Sequence, residues 1–274
     1  MIRLSNNNNT STNDKISFET DGWGTNSSEV KSSLSILSSR PAMGKTSFAI
    51  QLACTVNQEV PFLYISNETI TNKTIAHLTG ISLDKINTNN LSIEESVTVT
   101  KANQKLKSMA FNVLENIQLT TKNSIQTIRQ AVISKQPKGV IIDGINWRDF
   151  KNNQCTQNDY IQYFNKLKSI AEEYNIDLLV LHELDRTVEK KDKNSLPDLS
   201  DLKNESFLTT ITDNIFFLYR PTYYGLNDYH PQFKGKHIME VICFEKEKKE
   251  INFFEINADF NQFTSLDPDS TSII

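Results

Sequence analysis

Hydrophobic and polar positions follow two different periods along this chain. From residue 34 onward, short runs of apolar and β-branched residues alternate with longer segments in which apolar residues recur every three or four positions. Short apolar runs are typical of buried strands, whereas the longer spacing is typical of amphipathic helices. Strands are therefore predicted over residues 34–37, 61–66, 139–143, 177–181, 214–219, 238–244 and 251–256, and helices over 47–53, 124–135 and 159–174.

This order of elements predicts the fold class and the division of the chain. Strands that alternate with helices favour βαβ units, and hence an α/β fold with a mostly parallel twisted sheet flanked by helices. The last predicted strands follow one another without a long helix, which predicts an antiparallel hairpin at the C-terminal end. We expect one domain over residues 34–264, a flexible polar arm rich in Asn, Ser and Thr over residues 1–33, and a tail over residues 265–274.

A candidate phosphate-binding loop lies between the first predicted strand and the helix that follows it. The segment Ser39-Arg40-Pro41-Ala42-Met43-Gly44-Lys45-Thr46 matches the pattern G-x-x-x-x-G-K-S/T except at its first position, where Ser39 replaces glycine. In such a loop, backbone N–H groups surround the phosphates, the lysine reaches the outer phosphates and the hydroxyl is a ligand of Mg²⁺. Gly44, Lys45 and Thr46 would fill these roles. The alternative is a surface turn that binds nothing.

Two acidic residues follow predicted strands, at the sheet edge where open α/β sheets bind ligands. Glu68 could polarise a water for attack on the γ-phosphate. It could equally be a carboxylate at a helix N-terminus, with Asn67 or Thr69 as the cap. Asp143 could hold Mg²⁺ beside the phosphate loop; the alternative is an aspartate that forms a turn before Gly144.

A third polar pair, His182 and Glu183, follows the predicted strand over residues 177–181. This is the position of a residue that senses the γ-phosphate. A solvated strand end that has no part in the chemistry is the alternative. Metal binding by His182 is not favoured, because no partner ligands lie near it in the sequence.

Charge and cysteine content narrow the function classes. The 274 residues carry a formal net charge of −4, with a sequence pI near 5.7. No global basic field therefore attracts nucleic acid or anionic lipid, so any contact with nucleic acid must come from local loops. The three cysteines, Cys54, Cys155 and Cys243, suggest neither a zinc site nor a disulfide framework. Without an apolar run of membrane-spanning length or a signal peptide, we expect no membrane association and a cytoplasmic protein.

Six ordered motifs resemble those of the C-terminal RecA-like ATPase domain of DnaB-type replicative helicases. The phosphate loop continues as far as Phe48 in the pattern A-R-P-x-M-G-K-T-x-F of that family, which often lacks the first glycine. The other matches are Ile65–Thr69 to S-L-E-M, Ile141–Asn146 to V-I-D-Y-L-Q, Leu181–Arg186 to L-S-Q-L-N-R, Leu199–Lys203 to L-S-D-L-R, and Asp213–Arg220 with Tyr223 and Tyr224 to D-A-D-x-x-x-x-x-Y-R and E-Y-Y. The resemblance covers residues 34–264.

This resemblance implies a RecA-like P-loop NTPase with ATP and Mg²⁺ as cofactors. It also implies a ring, in the family a hexamer, with ATP sites between subunits, and 5′-to-3′ movement on single-stranded DNA in replication. The short, divergent form favours a phage, plasmid or other mobile element. By position, nucleotide would be bound by the loop residues Arg40, Pro41, Ala42, Met43, Gly44, Lys45, Thr46 and Ser47. Mg²⁺ would be held by Thr46 and Asp143, Glu68 would activate water, and Glu183 would be the sensor. DNA would be contacted by Lys203, Asn204 and Ser206.

The sequence also departs from the family pattern. Glu183 replaces the sensor glutamine, and a carboxylate repels a phosphate instead of donating a hydrogen bond to it. Lys246 and Lys248 stand where the family has a lysine and an arginine finger that reach the neighbouring subunit, and Ser206 replaces a glycine of the DNA loop. Nothing in the sequence resembles the family's N-terminal domain or linker helix. A degenerate nucleotide-binding module that regulates or docks onto another replication protein therefore stays open. A KaiC-like ATPase outside replication is less favoured.

Overall fold

A nine-stranded mixed sheet is the centre of the computed structural model. The structure describes residues 2–4, 18–20, 32–55, 61–120, 124–184, 196–226, 230–245, 248–257 and 262–266. The strands are β1 (Ile2–Leu4), β2 (Phe18–Thr20), β3 (Leu34–Ser39), β4 (Phe62–Ser66), β5 (Phe111–Leu114), β6 (Gly139–Ile145), β7 (Asp177–Glu183), β8 (Asn214–Tyr219), β9 (Ile238–Glu245), β10 (Lys248–Ile256) and β11 (Phe263–Leu266). The helices are α1 (Lys45–Thr55), α2 (Thr71–Thr79), α3 (Leu83–Thr88), α4 (Ile93–Ser108), α5 (Ser124–Lys135), α6 (Trp147–Asn152), α7 (Gln157–Tyr174) and α8 (Leu208–Ile211).

The order of strands in this sheet is β11-β10-β9-β8-β3-β7-β6-β4-β5. The section from β8 to β5 is parallel, and β9, β10 and β11 extend it as antiparallel strands. The predicted fold class is therefore confirmed, including the antiparallel C-terminal hairpin, which is β9 and β10. Parallel order brings the carboxyl ends of β3, β4, β6 and β7 to one edge, where the predicted site residues lie.

Both faces of the central strands are buried. Leu34 and Ile36 face the layer that contains α5 and α7, whereas Leu37 faces the layer of α1, where it shares a core with Phe48. Alternate residues of a strand point to opposite faces, so a strand covered on both sides is apolar throughout. This explains why the central strands were visible as continuous apolar runs. Phe48 also fixes α1 against the antiparallel strands, through edge-to-face contacts with Phe254 and Phe263 at 5.3 and 5.4 Å between ring centroids.

Several described elements were not predicted. Strands β5 and β11 are four residues long, too short to show a period. Helix α4 buries only Ala102, so it has no apolar stripe to read in the sequence, and a reciprocal capping box between Ser92 and Glu95 starts it. Within the described ranges, no helix combines the length and apolarity needed to cross a bilayer.

The N-terminal segment is described only in part. Strands β1 and β2 pair with each other as a two-stranded antiparallel ribbon, separate from the main sheet. The other residues before Ser32, and those after Leu266, lie outside the described residues. The polar arm over residues 1–33 and the tail over residues 265–274 therefore remain predictions.

Candidate nucleotide site

The predicted phosphate loop is a tight connection between β3 and α1. Strand β3 ends at Ser39 and α1 begins at Lys45, and Phe48 N donates to Gly44 O at 2.9 Å. Ala42 and Gly44 have φ angles of 60° and 93°. For alanine this left-handed conformation is strained, which is typical of backbone held in place for binding. The loop therefore turns its backbone sharply into the first turn of α1, as phosphate binding requires.

Lys45 folds back over the loop. Its Nζ donates to Ser39 Oγ at 3.0 Å and lies 3.4 Å from Ser39 O. Burial lowers the pKa of Lys45, while the negative charges of Glu183 and Asp143 act in the opposite direction. Ser39, the residue that broke the glycine pattern, thus contributes a hydroxyl that positions the lysine, a contact that glycine cannot make.

Asp143 lies at the centre of a hydrogen-bonded group beside the loop. Its Oδ2 accepts from Thr46 Oγ1 at 2.8 Å and from Tyr64 Oη at 2.9 Å. Burial raises the pKa of Asp143, and the two hydrogen bonds oppose that shift because they favour the charged carboxylate. The sequence analysis missed Tyr64, which looked like one more apolar residue of β4.

The donor set here suits Mg²⁺. Carboxylate and hydroxyl oxygens are the ligands this ion prefers, and it commonly takes only one or two from protein and the rest from phosphates and water. Among the described side chains, no three His, Cys, Asp or Glu residues cluster as a metal site. The chemistry of Thr46 and Asp143 thus fits an Mg²⁺ ion whose other ligands would be phosphate oxygens and water.

Asp143 is not part of a turn, so the alternative interpretation of this residue is wrong. Strand β6 continues through Gly144 to Ile145, and its register against β7 shifts between Asp143 and Ile145. Gly144 has a φ of 112°, and a Cβ there would lie 2.3 Å from the side chain of Asn67. Such a bulge changes the direction of a side chain without ending the strand. The positive φ favours glycine here, and a Cβ would in addition have to displace the exposed side chain of Asn67.

Glu68 lies just beyond β4 and is exposed. Its Oε2 accepts from Lys73 Nζ at 2.9 Å, and its backbone N donates to Ser66 Oγ at 3.0 Å. Asn67 and Thr69 do not cap α2, contrary to the alternative prediction. Instead Glu115 Oε1 accepts from the backbone N of Ile70 at 2.7 Å and of Thr71 at 2.5 Å. The caps named in that alternative are therefore wrong, whereas the catalytic role of Glu68 and its role as a carboxylate near the start of α2 both remain predictions.

The end of β7 differs from the prediction, because His182 and Glu183 both belong to the strand. His182 is fully buried, so the interpretation of this residue as a solvated strand end is wrong. Its Nδ1 lies 2.9 Å from Ser38 Oγ and its Nε2 lies 2.6 Å from Glu205 Oε2. Glu183 pairs with Arg148 of α6, at 3.2 Å between Oε1 and Nη2. The sequence analysis did not identify Arg148, Ser38 or Glu205 as partners.

A second group of side chains braces the loop from β8 and the residues after it. Arg220 Nη1 donates to Ala42 O at 3.1 Å, and burial lowers the pKa of Arg220. Arg40 Nη1 donates to Tyr224 Oη at 2.7 Å. Arg220 and Tyr224 occur in a motif quoted above, but no local pattern predicted that they contact the loop.

The remaining predicted residues are described only partly. Lys203 and Asn204 belong to a 3₁₀ helix over Leu199–Glu205, and their side chains lie outside the described residues. Ser206 follows this helix and is exposed. Lys246 lies outside the described residues, as does the side chain of Lys248 at the start of β10. The roles of these residues in DNA or nucleotide binding remain predictions.

Comparisons with known proteins agree with this geometry. Residues 25–263 match the model of the family described as DnaB-like helicase C terminal domain. The chain belongs to this family. It is similar to a probable plasmid replicative DNA helicase of Chlamydia trachomatis, with 30% identity over 196 residues, and to the replicative DNA helicase DnaB of Rickettsia typhi, with 29% identity over 211 residues. These alignments cover 69% and 70% of this chain but 43% and 42% of the relatives.

The fold is also similar to solved structures of helicase ATPase domains. A DnaB-like replicative helicase studied with primase superposes with a TM-score of 0.70 at 24% identity, covering 87% of this chain and 60% of that one. A separately solved ATPase domain gives a TM-score of 0.68, also at 24% identity, covering 86% and 85%. These likenesses confirm the predicted RecA-like fold. Because the chain spans less than half the length of the curated relatives, membership of the family does not by itself establish their full activity.

Proposed function

We propose that this chain hydrolyses ATP with Mg²⁺ and uses the energy to move along single-stranded DNA and unwind duplex DNA. The observation that carries the proposal is the meeting of Lys45, Thr46 and Asp143 at one strained βα connection. The loop N–H groups and Lys45 would bind the phosphates. Thr46 and Asp143 would hold Mg²⁺, which offsets phosphate charge when it is bound.

Glu68 would orient and deprotonate the attacking water. It is exposed just after the end of β4. It is near Asp143, because its negative charge helps, after burial, to raise the pKa of Tyr64, and Tyr64 donates a hydrogen bond to Asp143. Its present partner is Lys73 at 2.9 Å. An exposed ion pair of this kind contributes little stability, so Glu68 can exchange Lys73 for water at small cost.

DNA binding is proposed for the segment that contains Lys203, Asn204 and Ser206. Ser206 is exposed between the 3₁₀ helix and α8, and backbone N–H groups of this segment together with the Lys203 side chain would contact phosphates. A net charge of −4 gives no general attraction to DNA, so binding would depend on weak local contacts, which a homo-oligomeric ring, proposed as a hexamer, adds from every subunit. Lys246 and Lys248 would reach the ATP site of the neighbouring subunit.

The test is ATP hydrolysis by the purified chain, with and without single-stranded DNA. We expect hydrolysis that DNA stimulates, and its loss in Lys45→Ala. Lys135→Ala is the matched control, because Lys135 is an exposed lysine at the end of α5. Size measurement with a non-hydrolysable ATP analogue would detect the ring. Absence of DNA stimulation across several sequences, with folded protein, would contradict the proposal.

A second function is supported by Glu183. Its carboxylate stands at the sensor position and pairs with Arg148, so this site could bind nucleotide without signalling hydrolysis. The chain would then be a module that regulates or docks onto another replication protein. Unwinding of a forked duplex separates the two functions: an appreciable rate with the purified chain excludes the docking module, and nucleotide binding without unwinding favours it.

A further inference from the structure

The buried group Ser38, His182 and Glu205 connects two parts of the proposed machine. His182 is fully buried and Glu205 nearly so. The imidazole has one contact on each side, with Ser38 Oγ at 2.9 Å and Glu205 Oε2 at 2.6 Å. A carboxylate oxygen accepts, so Nε2 carries a hydrogen, and in the neutral tautomer Ser38 donates to Nδ1. Both ring nitrogens are thus used by neighbouring elements.

The ends of β3 and β7 carry this group on one face of the sheet and the nucleotide site on the other. Ser38 lies opposite His182 in the register of β3 and β7, and Ser39 lies opposite Glu183. Since successive residues of a strand point to opposite faces, the Ser39 and Glu183 pair faces Lys45 while the Ser38 and His182 pair faces away from it. Lys45 contacts Ser39 and feels the charge of Glu183. Ser38 and Ser39 on β3, and His182 and Glu183 on β7, thus connect the nucleotide side of the sheet to the side of His182.

On the far side, His182 holds the last residue of the 3₁₀ helix over Leu199–Glu205. Tyr160 of α7 lies beside the same carboxylate, and burial together with the charge of Glu205 raises the pKa of the Tyr160 hydroxyl well above its usual value. An apolar, aromatic surrounding makes a hydrogen bond to Glu205 strong and its loss costly. Glu205 is therefore fixed to the end of β7, and Ser206 follows it directly.

We propose that His182 is a positioning residue that transmits the nucleotide state from the end of β7 to residues 199–206 through its hydrogen bond to Glu205. This inference rests on the proposed function for nucleotide binding at Lys45, and its significance for DNA rests on the proposed DNA binding by Lys203, Asn204 and Ser206.

A matched pair of variants tests the link. The side-chain amide of His182→Asn can replace Nδ1 and keep the contact with Ser38, but it is too short to reach Glu205. The amide of His182→Gln can replace Nε2 and keep the contact with Glu205. Both put a neutral amide into the same buried position, so a purely structural role for His182 would affect both in the same way.

The measurement is amide hydrogen exchange of peptides over residues 199–211, with and without Mg²⁺ and a non-hydrolysable ATP analogue. In the wild type we expect the analogue to change exchange there by at least about fivefold, the lower end of typical coupling between sites. We expect the change to vanish in His182→Asn and to persist in His182→Gln. His230→Asn is the control, because His230 forms a second histidine–carboxylate contact, with Glu240 at 2.8 Å; we expect it to retain the change.

Other outcomes are equally informative. An unchanged response in His182→Asn, equal loss in both His182 variants, or no response in the wild type with bound analogue would each overturn the link. If His182→Asn does not fold, Glu205→Gln and Glu205→Ala give the same contrast from the other side: the first keeps a hydrogen-bonding group and the response, the second loses both. Oligo(dT) binding, measured in parallel by fluorescence anisotropy, tests the proposed function separately, since its absence leaves the exchange result intact.

Discussion

Replacement of Tyr64 by phenylalanine tests the central group of the nucleotide site. The change removes one hydroxyl, which donates to Asp143 at 2.9 Å from a fully buried position. A hydrogen bond to a charged group contributes about 1.5–3 kcal/mol. Because Thr46 still donates to the same carboxylate, we expect the lower part of this range, about 2 kcal/mol. For a domain of this size that corresponds to a fall in Tm of about 4–8 °C.

The loss should depend on pH in a direction that follows from Asp143. Burial raises the pKa of Asp143, and the Tyr64 hydrogen bond opposes this by favouring the charged form. Tyr64→Phe therefore raises the pKa further. A raised carboxyl pKa contributes stability that is present in acid and lost as the pH rises through the folded-state value. The deficit of the variant should thus be larger at neutral pH than in acid, and urea unfolding across this range measures it.

Activity provides the second measurement on Tyr64→Phe. Residues that orient a metal ligand typically change metal affinity or activity by about 10–100-fold, so the Mg²⁺ requirement for ATP hydrolysis should rise by that order. Tyr174→Phe is the control, because the Tyr174 hydroxyl contacts the exposed ion pair of Arg129 and Glu173 instead of Asp143. Equal effects of the two substitutions, or a Tyr64 variant with wild-type stability and Mg²⁺ dependence, would refute the assigned role.

Three further substitutions have defined outcomes. Asp143→Asn removes a buried charge, so without nucleotide the variant should be more stable than the wild type at neutral pH, and this difference in stability should become smaller in acid. ATP hydrolysis should be lost. Equal stabilities of the two proteins in urea at neutral pH would contradict this prediction. Gly144→Ala must adopt a φ of 112° and displace Asn67, which should cost about 1–3 kcal/mol in urea unfolding. Glu183→Gln removes a negative charge near Lys45 and frees Arg148 from its ion pair. Calorimetry should therefore show ATP affinity increased by up to about fivefold. A lower affinity would contradict the placement of Glu183 beside the phosphate site.

The sequence pattern predicted the elements whose signal lies in consecutive or regularly spaced residues. The central strands are apolar because both faces are covered, and the phosphate loop was visible because its residues are consecutive. Helix α5 was predicted with the bounds that the structure has, because it buries a regular apolar stripe. Helix α4 was not, since an exposed helix has no such stripe.

The contacts that complete the site could not be predicted, because distant segments make them. Ser38 and His182 are 144 residues apart in the sequence, and His182 and Glu205 are 23 apart. Glu115 caps α2 from 45 residues away. Only the order of strands in the sheet brings such partners together, and the sequence does not state which neighbour each strand end will meet. The resemblance placed the residues in their motifs but not in these contacts.

Two of the departures from the consensus patterns, Ser39 and Glu183, have a partner in the structure. Ser39, in place of glycine, holds Lys45 at 3.0 Å. Glu183, in place of glutamine, pairs with Arg148, so its charge is not left alone beside the phosphate site. The two contacts keep the charges beside the loop balanced, as a site that binds nucleotide requires in both proposed functions, so unwinding of a forked duplex is the measurement that separates them.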